Sequence, residues 1–211
     1  AAQAIGASMK DAMGHVRQAG SMGDAGCFSF FPSKNLGCCG DGGLITFQDS
    51  TIEEKARLMR VHGSKERYFH EIVGGNFRLD TIQAAVLLVK LKYLEDQHIA
   101  RQKNAAYYNT HLSGANITLP TVKEGRRMIY NQYTLRVKNR ESLMATLKEK
   151  NIGHAVYYPI SLHMQDCFSD LGYSEGDFPE SESAAKEVLS IPIYSELTQE
   201  QLDYVIDAIK S

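Results

Sequence analysis

Residues 29–43, SFFPSKNLGCCGDGG, bring together a hydroxyl at Ser29, an amine at Lys34 and a run of glycines. The apolar segment 26–31, GCFSFF, reads as a short buried strand that delivers Ser29. Pro32 ends that strand, and Lys34 falls on a tight turn beside the glycine loop. A lysine desolvated there favours its neutral amine, because burial disfavours the ammonium. A neutral amine is what Schiff-base chemistry with an aldehyde requires. The Ser29 hydroxyl, with glycine amides nearby, suits a phosphate. A surface lysine in a glycine turn fits the same spacing. A Walker loop does not, since Lys34 precedes the glycines and GxxxxGK[ST] is absent.

Other elements must hold this turn. Residues 42–48, GGLITFQ, read as a second strand. Ser50 and Glu53 form an S-x-x-E capping box that starts a helix ending at Gly63. Residues 64–77 read as a loop. From Asp80 and Gln83 to Leu112 the chain has no Gly or Pro, which predicts a long helix bent or broken once, its Tyr and Leu positions in the core. Beyond Gly114, strand-like 130–137 and 154–158 alternate with helices over 140–150 and 181–189. LSIPIY follows, and Thr198 and Gln201 cap a last amphipathic helix. The pattern predicts a long first part, 1–113, and a small α/β domain, 114–211.

Composition narrows the function classes. The chain has 211 residues, 43% hydrophobic and 23% charged, in the globular range. A formal net charge of −2 gives no general attraction to nucleic acid or anionic membrane. No apolar run nears the roughly 20 residues of a membrane helix, and the N-terminal residues lack signal-peptide order, so a cytoplasmic location is expected. Cys27, Cys38, Cys39 and Cys167 form no CxxC pair and read as reduced apolar fillers. No HExxH is present, so no metal is expected. The chain opens on AAQAIGAS rather than on a polar, mobile segment, which suggests a start inside a domain.

SFFPSKNLGCCGDGG resembles the cofactor-lysine motif of the DegT/DnrJ/EryC1/StrS sugar aminotransferases. AAQAIGAS, RYFHEIVGGNFRLDTIQAAVLLVKLKYL (67–94), YYPISLHMQ (157–165) and LSIPIYSELTQEQLDYVIDAI (189–209) resemble further family segments, in order along the chain. The resemblance implies an α/β fold-type-I aminotransferase: the C-terminal part of a large mixed-sheet domain followed by the small C-terminal domain. It implies pyridoxal 5'-phosphate as cofactor and a homodimer. It implies an amino-acid donor, glutamate, and a nucleotide-linked keto-sugar aminated at C3, for amino-sugar or surface polysaccharide synthesis.

By position, the resemblance gives Lys34 the catalytic, cofactor-bearing role. It gives Ser29 the cofactor phosphate, Gln3 the neighbourhood of the cofactor's phenolic oxygen, and Asn76 the phosphate of a neighbouring subunit's cofactor. Arg78, Tyr157 and His163 become substrate-binding candidates. By residue type alone, Arg78 could equally be an ion-pair partner and His163 a satisfied loop histidine. At Tyr157 the family pattern carries His. The resemblance also implies that the pyridine-nitrogen Asp, a glycine-threonine turn and a stacking aromatic precede residue 1, leaving these residues alone inactive. A dehydratase branch would have His in place of Lys34. A non-catalytic regulatory or dimerising role is the alternative from another class.

Overall fold

Strand β1 (Ser8–Lys10) pairs antiparallel with β2 (Val16–Gln18) in the computed structural model, which describes residues 1–211. The turn between them is closed by Asp11, whose Oδ1 accepts the amide N–H groups of Met13 and His15 at 2.9 Å. Strand β3 (Ala25–Ser29) pairs antiparallel with β4 (Gly43–Phe47), in register from Ala25↔Phe47 to Ser29↔Gly43. Helix α1 (Ser50–Arg60) follows. Its N-cap is Asp49 rather than Ser50: the Asp49 carboxylate accepts the Thr51 amide at 2.7 Å.

Residues 64–77, expected as a loop, contain a small hairpin of β5 (Ser64–Glu66) and β6 (Phe69–His70). Backbone crowding shapes this stretch. Gly63 has φ 72°, and a Cβ there would collide with the Ile72 carbonyl. Helix α2 (Thr81–Leu91) has Asp80 as its N-cap, and α3 (Leu94–His111) continues after one break. The expectation that the Tyr and Leu positions of this stretch are core holds for Leu87, Leu94, Tyr108 and Leu112. It fails for Leu88, which lies off the buried stripe, for Tyr93, in the break between the helices, and for Leu91, at the end of α2; all three are exposed.

Strand β7 (Arg126–Arg127) returns to β1, giving a three-stranded sheet ordered β2-β1-β7. Strand β8 (Tyr133–Arg136) leads to α4 (Arg140–Glu149). Residues 154–158 do not form the expected strand, and only Ala155 bridges to Ser190. Pro159 has no N–H with which to extend the ladder. Two 3-10 turns, Leu162–Met164 and Asp166–Leu171, precede α5 (Pro179–Glu187), and β9 (Val188–Ile191) pairs antiparallel with β8. Helix α6 (Gln199–Lys210) carries the Thr198–Gln201 capping box expected for it.

These elements form two units. The first comprises residues 1–99 and 122–131, the second 100–121 and 132–211, so the chain passes to the second unit within α3 and rejoins the first for β7. The core of the first unit gathers Phe30, Leu36, Cys38, Leu87 and Leu94, with Ile5, Phe28 and Leu79 against it. The second is centred on fully buried Tyr108, Tyr133, Leu135, Leu147 and Leu189. No helix is long and apolar enough to cross a membrane. All four cysteines are free; Cys38 is the buried filler expected, while Cys27, Cys39 and Cys167 are exposed on surface strand and turns.

Candidate active site

Ser29 is the last residue of β3, and the chain beyond it folds back on itself. The Phe30 amide donates to the Gly42 carbonyl, and the Phe30 carbonyl accepts the Cys38 amide, both at 2.8 Å. Between them the Lys34 amide donates to the Phe31 carbonyl at 2.9 Å and closes the turn. Glycine is required at Gly37, where a Cβ would collide with the Pro32 carbonyl oxygen. At Gly42 a Cβ would lie 2.9 Å from the Cys38 Sγ. The Cys38 thiol donates toward the carbonyls of Phe30 at 3.0 Å and Gly40 at 2.9 Å. One side of the loop is thus fixed in the core by Leu36 and Cys38. Lys34 stands half-buried at its other side, and no carboxylate of the chain pairs with its ammonium.

Ser29 Oγ accepts the Phe31 amide at 3.3 Å, so its own O–H remains to donate. Three hydrogen bonds tie the loop to its surroundings. Asn35 Nδ2 donates to the Ile129 carbonyl at 3.3 Å, the Cys39 amide donates to Gln83 Oε1 at 2.8 Å, and Lys90 Nζ donates to the Gly37 carbonyl.

Gln3 lies half-buried in an N-terminal turn whose backbone is closed by the Ala4 amide on the Ala1 carbonyl at 3.0 Å. Asn76 and Arg78 are exposed, and Arg78 Nε donates to Asn76 Oδ1 at 2.9 Å. Their segment is tied to the end of α1, with the Gly75 amide on the Met59 carbonyl at 2.9 Å and the Phe77 amide on the Arg60 carbonyl at 3.0 Å.

Tyr157 and His163 belong to the second unit. The Tyr157 ring is exposed and meets Tyr158 edge to face at 5.5 Å. His163 Nε2 lies 3.0 Å from Glu182 Oε1, and its ring packs on Phe178 at 4.8 Å. Burial pushes the Glu182 carboxyl up. The amides of Gly176 and Phe178, with His163, outweigh that and hold it below the usual carboxylate value.

Ser29 therefore ends β3 and Lys34 lies on the turn that follows it, and Asn76 and Arg78 form a second group in the same unit. Gln83 was named in the sequence only as a helix start, and Lys90 and Glu182 were not named at all. Gln83 and Lys90 are seven residues apart on one helix, a spacing that aligns them on one face. For Glu182 the sequence carries no local signal.

Residues 1–210 match the sequence model of the DegT/DnrJ/EryC1/StrS aminotransferase family. A protein of Geobacillus stearothermophilus named pleiotropic regulatory protein is 46% identical over 212 residues, covering 99% of this chain and 56% of that one. The UDP-N-acetyl-3-dehydro-alpha-D-glucosamine 3-aminotransferase of Acidithiobacillus ferrooxidans is 38% identical over 209 residues, covering 99% of this chain and 55% of that one. The fold matches S. venezuelae DesV, solved in complex with a ketimine intermediate, at TM-score 0.92 and 36% identity, again over 99% of this chain and 55% of that one. The chain spans about half the length of the curated relatives it matches.

Proposed function

Because this chain belongs to the DegT/DnrJ/EryC1/StrS aminotransferase family, we propose that its complete protein moves an amino group from glutamate to the C3 keto carbon of a nucleotide-linked sugar. Enzymes of this family use pyridoxal phosphate. The observation that carries the reading is Lys34: a half-buried amine without a carboxylate partner, five residues after a hydroxyl that is free to donate.

These groups fit the cofactor. An amine suits its aldehyde, and the Ser29 O–H suits a phosphate oxygen. When bound, the cofactor supplies an electron-withdrawing ring that stabilises negative charge on the reacting carbon. Lys34 Nζ takes the proton from the donor's α-carbon and delivers one to the sugar carbon in the reverse sense. Asn76 has its Oδ1 engaged by Arg78, which leaves its NH2 as the donor for an anion; in this reading it serves the cofactor phosphate of a second copy in a homodimer. Gln3 would serve the cofactor's phenolic oxygen. Arg78, Tyr157 and His163 border the sugar nucleotide. The amino sugar feeds surface polysaccharide synthesis in the cytoplasm, with no nucleic-acid or membrane partner.

A non-catalytic role is the second reading, favoured by the regulatory name of the Geobacillus relative. One experiment separates the two. The full-length protein is loaded with pyridoxal phosphate, reduced with borohydride and mapped by peptide. The cofactor is expected on the peptide containing Lys34, and glutamate is expected to change the visible absorbance before reduction. Label elsewhere, or a colourless protein, overturns the catalytic reading.

A further inference from the structure

Helix α2 touches the glycine loop at two points seven residues apart, two turns along one face. Gln83 Oε1 accepts the Cys39 amide at 2.8 Å, and Lys90 Nζ reaches the carbonyl of buried Gly37. We propose that Gln83 and Lys90 are positioning residues for Lys34. They hold the loop that follows the lysine, and through it the direction in which the amine points. This rests on Lys34 being the cofactor lysine.

The physical need comes from the loop itself. Glycines at Gly37, Gly40, Gly42 and Gly43 let the backbone pack closely, as the contacts at Gly37 and Gly42 require. They also leave the loop the greatest conformational freedom of any sequence, so it must be restrained from outside. The strand end fixes the residues before Lys34. After it, Asn35 is tied to Ile129, Gly37 to Lys90 and Cys39 to Gln83. The Lys90 bond is charge-assisted and therefore strong. Misplacing a reacting group by about 1 Å can cost about a hundredfold in rate.

The loop holds its own reporter. Cys38 is buried, its thiol directed at the Phe30 and Gly40 carbonyls, whereas Cys39 is exposed. The test uses the full-length, cofactor-free protein in a Cys27→Ser, Cys39→Ser, Cys167→Ser background, which removes the exposed thiols of this chain and keeps the residue-39 amide. Reaction of Cys38 with a chromogenic disulfide is followed and confirmed by peptide mapping.

Gln83→Leu removes the acceptor and is expected to speed Cys38 modification about tenfold, the loss expected for one hydrogen bond. Gln83→Glu keeps an acceptor and is expected to restore the parent rate. Lys90→Met is expected to act like Gln83→Leu. In the loaded enzyme, Gln83→Leu is expected to slow the glutamate half-reaction about tenfold with the glutamate KM unchanged, and Gln83→Glu to rescue it. Parent-like Cys38 modification in both Gln83→Leu and Lys90→Met overturns the inference. So does a Gln83→Glu protein as reactive as Gln83→Leu. The thiol measurement needs no cofactor, so its failure is distinct from failure of the borohydride label at Lys34.

Discussion

His163 Nε2 lies 3.0 Å from Glu182 Oε1, and the Glu182 carboxylate also accepts the amide N–H groups of Gly176 and Phe178. One carboxylate thus fastens the 3-10 turn at Leu162–Met164 and the loop before α5 to the first turn of that helix. Its folded value lies below the usual glutamate value of 4.5. Its stabilisation is therefore fully present above that usual value and lost as pH falls through the lowered one. Thermal unfolding measured from about pH 6 down to about pH 3 should show a steeper loss for the parent than for Glu182→Gln. Equal slopes would mean that the carboxylate's charge does not hold this loop.

The Arg78–Asn76 hydrogen bond predicts that Arg78→Ala weakens cofactor retention in the same direction as Asn76→Ala, but less. In the homodimer proposed above, a mixed dimer of Lys34→Ala and Asn76→Ala chains should recover one intact site, read as half the parent activity per dimer. No recovery would place Asn76 in its own subunit's site.

Thr198 accepts the Gln201 amide at 3.3 Å, and Gln201 returns the bond to the Thr198 amide at 3.0 Å. Thr198→Ala should cost about 1 kcal/mol and lower the unfolding midpoint by a few degrees. Thr198→Ser should recover most of it. Calorimetry on both variants tests the pair.

Tyr108 is fully buried, and its hydroxyl donates to the Pro192 carbonyl at 3.1 Å. Burial first, then the neighbouring phenols of Tyr133 and Tyr194, push its ionisation well above the usual value of 10.0. The stability it contributes is complete below that usual value and is lost as pH rises beyond it. Tyr108→Phe should cost about 1 kcal/mol at neutral pH and blunt alkaline unfolding. Tyrosinate absorbance that appears from Tyr108 before unfolding begins would contradict this.

Features encoded within a few consecutive residues were readable from sequence. The Thr198–Gln201 box announced α6, and SFFPSK placed Ser29 at a strand end and Lys34 on the turn after it. The helix-cap reading was off by one residue, because the Asp49 carboxylate reaches the Thr51 amide before Ser50 can serve. Pairings between distant residues left no local trace. Strand β1 finds β7 through Ser8↔Arg127, and strands of two or three residues are too short for a two-residue period to show. Within the site, Gln83 and Lys90 meet the loop across 44 and 53 residues. His163 and Glu182 are 19 apart. Residue type could flag these side chains as polar; only the fold could say what each one holds.

The return of residues 122–131 to the first unit bears on how such a chain tolerates recombination. A single crossover between two related genes, placed anywhere from Asp11 to Gly125, would draw β1 from one parent and β7 from the other. Arg127 would then meet a foreign Gly6 carbonyl, which it contacts at 3.3 Å in this chain. A crossover before Glu95 would also preserve its ion pair with Arg127 at 2.6 Å, whereas one after Glu95 would divide it between parents. Intact exchange of either unit needs several junctions, so shuffled descendants of this sequence should survive where these partners travel together.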